Sequence, residues 1–111
     1  MSRRPMIAGR RLSVTLEAPA DVTDPIGGVT RSWAPVATLW AVLEPLPRGV
    51  ERAEAQRAEG AATHRLIIRW RGDVSPAMRF AAPGKIYDVT TTYDPDGRRR
   101  DLVCLVEEVQ A

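Results

Sequence analysis

Thr63-His64-Arg65-Leu66-Ile67-Ile68-Arg69-Trp70-Arg71 is the stretch on which the fold turns. Leu66, Ile68 and Trp70 fall on alternate positions, and Arg65, Arg69 and Arg71 fall between them, interrupted by Ile67. A period of two is that of a strand with one face turned to a core and the other to water. The same pattern recurs on both sides. Upstream, Leu12, Val14 and Leu16 alternate with Arg11, Ser13, Thr15 and Glu17. Downstream, Met78, Phe80 and Ala82 alternate with Arg79 and Ala81, and Lys85 to Thr92 is rich in β-formers: Ile86, Tyr87, Val89 and three threonines. Leu102 to Val106 is continuously apolar and reads as a central strand.

Between these runs stand turn signals. Gly72-Asp73, Ser75-Pro76, Pro83-Gly84 and Tyr93-Asp94-Pro95-Asp96-Gly97 each break the alternation with residues that suit tight turns. Ala18 to Thr30, with Pro19, Pro25, Gly27 and Gly28, reads as a loop or long hairpin connection, closed by a short strand over Val29 to Trp33. Val36 to Leu43 is apolar at nearly every position and reads as a strand covered on both faces, ended by Pro45 and Pro47. Gly49 to Gly60 differs: it holds good helix formers, but its apolar residues are almost all alanine, so it has little to bury. Residues 1–9 are basic, contain Pro5 and Gly9, and read as a flexible arm. The sum is one all-β domain over 1–111, a small barrel or sandwich of six to seven short strands with one short helix and long loops. Its expected core is Leu12, Val14, Leu16, Trp40, Leu66, Ile68, Trp70, Phe80, Ile86, Val89, Leu102 and Cys104.

Composition narrows the chemistry. The 111 residues carry 16 Lys+Arg against 14 Asp+Glu, with 44% hydrophobic residues, one Cys and one His. A single cysteine excludes a disulfide framework within the chain, and one histidine beside it cannot make a structural zinc site. No apolar run approaches the ~20 residues of a membrane-spanning helix, and Met6-Ile7-Ala8 is too short for the core of a signal peptide. The expected setting is a reducing cytoplasm. A net charge of +2 is too small for an obvious phosphate clamp.

No constellation for catalysis emerges. Asp94 and Asp96 flank a turn proline, Glu107 and Glu108 end a strand, and His64 opens one beside Arg65; each reads more simply as turn or surface chemistry than as a catalytic group. Cys104 sits inside an apolar strand, where a thiol behaves as a small hydrophobe. The expectation is a protein that is not an enzyme and needs no cofactor or metal. The basic candidates are Arg65, Arg69 and Arg71 on one strand face and the cluster Arg98, Arg99 and Arg100, suited to DNA phosphate or an acidic neighbouring subunit. A small-barrel module binding single-stranded nucleic acid is the alternative reading. By parity, however, Trp70 faces away from the arginines, which does not suit a stacking platform.

The order of features carries more than any one motif. Gly9 precedes a strand over Arg11 to Glu17; Gly28, Trp33 and Trp40-Ala41 follow; then come a polar, helix-prone insertion, the run His64 to Trp70, Met78-Arg79-Phe80 and Gly84-Lys85-Ile86-Tyr87-Asp88-Val89. In this arrangement the chain resembles the head–tail joining proteins of long-tailed phages, the head-closure, stopper or adaptor proteins, and their counterparts in gene transfer agents. The resemblance spans Gly9 to Glu108. It implies a β-barrel subunit of a homo-oligomeric ring, commonly of twelve copies, at the head–tail junction of a virion or phage-like particle assembled in the bacterial cytoplasm. It implies a portal or adaptor ring on one side, tail-completion or tail proteins on the other, double-stranded DNA through the channel, and no membrane. It also implies that the segment 45–62 is an extended loop toward the channel, which makes Arg48, Glu51, Arg52 and Arg57 channel-loop candidates. With three Arg and three Glu, that segment is not a basic gate.

Overall fold

Alternation along six segments becomes six strands in the computed structural model, which describes residues 10–46 and 62–109: β1 (Arg10–Thr23), β2 (Val29–Pro45), β3 (His64–Arg69), β4 (Arg79–Ala82), β5 (Lys85–Tyr93) and β6 (Asp101–Val109). All neighbours are antiparallel. The order β1-β2-β3-β6-β5-β4 closes on itself when β4 returns to β1 through Thr15↔Ala81, Leu16↔Phe80 and Glu17↔Arg79. Closure removes most free sheet edges, which is how a chain this short manages them. The expected all-β barrel is found. The expected short helix over Gly49 to Gly60 and the basic arm lie outside the described residues.

The interior is set by parity. Val14, Leu16, Leu43, Leu66, Ile68, Phe80, Tyr87, Val89, Leu102, Cys104 and Val106 point inward and are buried, with Met78 and Ala41. Leu12 and Trp70 lie half-buried at the margin of this cluster. Two expected core residues face the other way. Ile86 is half-buried on the outer side, because Tyr87, opposite Phe80, takes the inward position. Trp40 is 63% exposed. Its neighbours Leu39 and Ala41 oppose Val14 and Leu12, so Trp40 and Val42 project outward. An apolar run cannot reveal its own parity; the register puts Ala37, Leu39 and Ala41 opposite Leu16, Val14 and Leu12, on the inward side of the sheet. The reading of Val36 to Leu43 as covered on both faces is therefore corrected.

That reading does hold for Leu102 to Val106, where every residue is buried. Leu102, Cys104 and Val106 face the barrel interior, while Val103 and Leu105 join Leu46 and Ala62 in a second, outer cluster against Ile67. The two ends of the 47–61 segment are held side by side: Pro45 pairs with His64, and the Leu46 amide donates to the Thr63 carbonyl at 3.0 Å.

The largest departure is in β1 and β2. Ala18 to Thr30 was expected to be mostly connection, yet pairing runs on to Thr23↔Val29. Beyond a register shift at Leu16/Glu17, β1 and β2 leave the barrel as a two-stranded ribbon. Seven residue pairs at ~3.3 Å each project it roughly 23 Å, and the molecule measures 58 × 29 × 27 Å. Pro19 and Pro35 are tolerated because a ribbon has two free edges, where a missing N–H breaks no ladder. The tip is a turn built on Asp24, whose Oδ1 accepts from the amides of Ile26 (3.1 Å) and Gly28 (2.7 Å). Gly27 sits at φ 91°, a conformation costly for other residues, and a Cβ on Gly28 would lie 2.7 Å from the Asp24 carboxylate.

Candidate functional site

Arginine supplies nearly all the positive charge, so the question is which guanidiniums are already neutralised by their own chain. Arg65 Nη1 donates to Glu44 Oε1 at 2.8 Å across the β2–β3 pair. Burial alone would lower the Arg65 pKa, but the hydrogen bond and charge of Glu44 outweigh it and raise the pKa. Arg71 makes a two-pronged contact with Asp73, 2.9 Å on each arm. That bond raises the Arg71 pKa and lowers that of Asp73. Arg79 donates to Glu17 at 2.7 Å, and Arg100 to Asp96 at 2.9 Å. The expected stripe of Arg65, Arg69 and Arg71 is thus mostly internal pairing; of the three, only Arg69 makes no ion pair among the described residues.

Arg98, Arg99 and Arg100 lie in the loop between β5 and β6. Asp94 organises this loop, its Oδ1 accepting from the Gly97 amide (3.1 Å) and its Oδ2 from the Arg99 amide (2.8 Å), so its carboxylate is spent on turn chemistry. Arg99 takes φ 57° there, and its guanidinium lies 5.6 Å from the centre of the Trp70 ring. The Trp70 amide donates to the Arg100 carbonyl, and Arg69 is opposite Asp101 in the β3–β6 register. Arg69, Arg98 and Arg99 therefore gather at the barrel end from which the ribbon departs, none of them in an ion pair among the described residues. Sequence reasoning named these residues but could not place Arg69 beside the loop, because β6 lies between β3 and β5 in the sheet. The channel-loop candidates Arg48, Glu51, Arg52 and Arg57 lie outside the described residues.

At the opposite mouth, Arg10, His64, Lys85, Tyr87 and Glu108 surround a shallow opening. Lys85 Nζ donates to Glu108 Oε2 at 2.6 Å, which raises the Lys85 pKa and lowers that of Glu108. His64 Nδ1 is hydrogen-bonded to Thr63 Oγ1 at 2.8 Å, and its ring stands edge-on to Tyr87 at 5.6 Å. Burial, then the Glu108 charge, raise the Tyr87 pKa. Inside the barrel, burial pushes the Cys104 thiol up to about 12, far from the thiolate a nucleophile needs. Among the described residues no group of three or more His, Cys, Asp and Glu could hold a metal ion.

The tryptophans, not among the expected contact residues, each lie beneath an arginine. Trp33 lies under Arg79 (4.1 Å) and Arg31 (5.9 Å) at the root of the ribbon, Trp40 under Arg11 (5.2 Å) on the barrel wall, and Trp70 under Arg99. Among the described residues no two of these rings touch, so they build no continuous base-stacking surface. Only parity assignment would have found Trp40. Below it, β2 and β3 pair only from Val42↔Ile67 onward, and the strands splay to leave a wall groove of about 590 Å³.

These features define a class of protein: a small closed barrel with a projecting two-stranded ribbon and arginines at both ends. The chain belongs to the family of phage head completion proteins, whose family model matches residues 9–109. This family places it in a phage or phage-like particle, at the head–tail junction. Two solved structures share the fold. A protein of Shigella flexneri 2a, determined in solution, is 24% identical over 92% of this chain and 95% of its own, with a TM-score of 0.67. A chain of the virion of a native gene transfer agent particle is 20% identical over 97% and 100%, with a TM-score of 0.61. No curated protein matches in sequence.

Proposed function

We propose that this chain is the structural subunit of a closed ring that joins a DNA-filled head to its tail, holds the packaged DNA in and channels it out. The observation that carries the reading is the family match across residues 9–109; the likeness to a chain of a gene transfer agent virion supports it. The physical design agrees. A ring subunit contacts unlike surfaces on its two sides, and this barrel carries different features on opposite flanks. A channel must let a duplex slide, which nearly balanced charge permits and a dense basic lining would oppose.

In this reading twelve copies stack between a portal or adaptor ring and the tail-completion or tail proteins, with double-stranded DNA on the axis. Arg69, Arg98 and Arg99 are the contacts to DNA or to a neighbouring ring at the ribbon end. Arg65, Arg71 and Arg100 hold that surface in shape through their own carboxylates. Arg48, Glu51, Arg52 and Arg57 belong to the loop directed at the channel. The reaction chemistry is none: the role is structural.

The experiment is deletion of the gene followed by electron cryo-microscopy of the particles. The expected product is a head that fills, leaks its DNA and carries no tail. Particles that lack the chain yet keep full genomes and tails would overturn the proposal.

A further inference from the structure

Two apolar features are left without partners among the described residues, and they are opposite in shape. One is the ribbon tip, where Val22 is 54%, Ile26 91% and Val29 66% exposed. The other is the wall groove, where Trp40, Val42 and Ile67 line the splay between β2 and β3. Val42 and Ile67 sit side by side and continue the outer cluster of Val103 and Leu105, so the open groove extends a strip that is covered further along.

The tip cannot reach its own groove. Trp40 and Val29 lie on one uninterrupted strand, about 36 Å apart at ~3.3 Å per residue, and the paired ribbon is too stiff to fold back over that span. A bare two-stranded ribbon is also marginal in water, which favours a partner for its tip.

Charge points the same way. Among the described residues the Asp24 carboxylate at the tip accepts only backbone amides, while Asp21 and Arg31 neutralise each other at 2.9 Å. The groove rim carries Arg11 and Arg69, neither in an ion pair among the described residues, against Asp101; Glu44 is already held by Arg65. The tip is therefore one charge negative and the rim one charge positive.

We infer that the ribbon tip of one copy seats in the β2–β3 groove of the next, with Ile26 against Trp40 and Asp24 toward Arg11 and Arg69. The contact is heterologous, since it joins two different patches, and a repeated heterologous contact generates a ring when its rotation closes. This inference rests on the ring reading above and adds the surface that makes it.

Two full-length variants test it, both at exposed positions. Ile26→Glu spoils the tip and Trp40→Ala the groove. In sedimentation velocity over a concentration series, each alone should self-associate at least ~10-fold more weakly than the parent. Mixed, they should form a heterodimer and nothing larger, because one intact tip and one intact groove remain. In assembled particles, the double variant I26C/V42C should give a disulfide-linked ladder of this chain on oxidation, with the native thiol buried at Cys104. Variants that associate like the parent, or a mixture no different from its components, overturn the inference. So does an absent ladder, or a cross-link from the tip to another particle protein. A ring seen at the junction without the ladder removes this contact and leaves the ring reading standing, whereas particles with no such ring remove both.

Discussion

Replacing residues 47–60 with a turn of about four residues should strengthen the fold while abolishing DNA retention or tail joining. The barrel is already closed at that point. Pro45 pairs with His64, the Leu46 amide donates to Thr63, and the Thr63 amide donates to the Val106 carbonyl at 2.8 Å. A short turn therefore spans the gap without moving either strand. Leu46 and Ala62 stay in place, so the outer cluster with Val103 and Leu105 is kept. Loop-closure entropy scales as (3/2)RT ln n, and shortening the loop from about fourteen residues to about four recovers ~1 kcal/mol. Urea titration reads this as a higher midpoint at an unchanged slope. Nuclease-protected genome and attached tails, counted in particles carrying the variant, read the function. A loss of more than ~3 kcal/mol would show that the segment packs as core. Full DNA retention with normal tails would strip Arg48, Glu51, Arg52 and Arg57 of the channel role.

Phe80→Ala should cost ~3–5 kcal/mol because that ring is fully buried, whereas Trp40→Ala should change stability by less than ~1 kcal/mol; equal losses in thermal melts would contradict the parity of β2. Stability should fall as pH rises from 9 toward 12, because an unfolded Cys104 ionises near its ordinary 9.0 while the buried thiol holds its proton to about 12. The term is at most about 4 kcal/mol, and Cys104→Ala should flatten that limb of the pH–stability curve; an unchanged limb would mean that water reaches the thiol. On the acid side, Arg71 and Lys85 hold Asp73 and Glu108 below the usual carboxylate range. Their stabilisation is complete above the unfolded values near about 4 and fades as pH falls through the lower folded values. Both pairs are exposed, so the effect should be small and should vanish in high salt. Replacing Arg69, Arg98 and Arg99 with Gln should leave the melting temperature nearly unchanged but weaken the salt-sensitive attachment of the ring to DNA or its neighbour; unaltered salt dependence would discharge these three from that role.

Strand parity explains most of what could be foreseen. Val14 and Leu16, Leu66 and Ile68, and the continuous run Leu102 to Val106 announce their environments because alternation, or its absence, is a local property of the chain. The errors arise where a local pattern fits two structures. Val36 to Leu43 is apolar at nearly every position, and nothing within it says that Ala41, and not Trp40, meets Leu12. Ile86 and Tyr87 are both strong strand residues, and only the pairing of Tyr87 with Phe80 selects which one turns inward. The prolines and glycines between Ala18 and Thr30 signal a break correctly at residues 24–28, yet Pro19 is harmless on a ribbon whose edges pair with nothing. The arginines were recognisable as candidates; their carboxylate partners were not, since Arg65–Glu44 and Arg79–Glu17 join residues far apart in the chain.

By itself, the order of residues determined that this is a small all-β domain without disulfides, stabilised by a few alternating strands, and resembling proteins that close phage heads. Those properties follow from period, turn chemistry and composition, which are written locally. The tertiary structure alone decided the strand order in which the barrel closes, that β1 and β2 run past it as a ribbon, and which arginines at its ends make no ion pair among the described residues. These depend on register between distant segments, where a shift of one residue exchanges the inner face for the outer one.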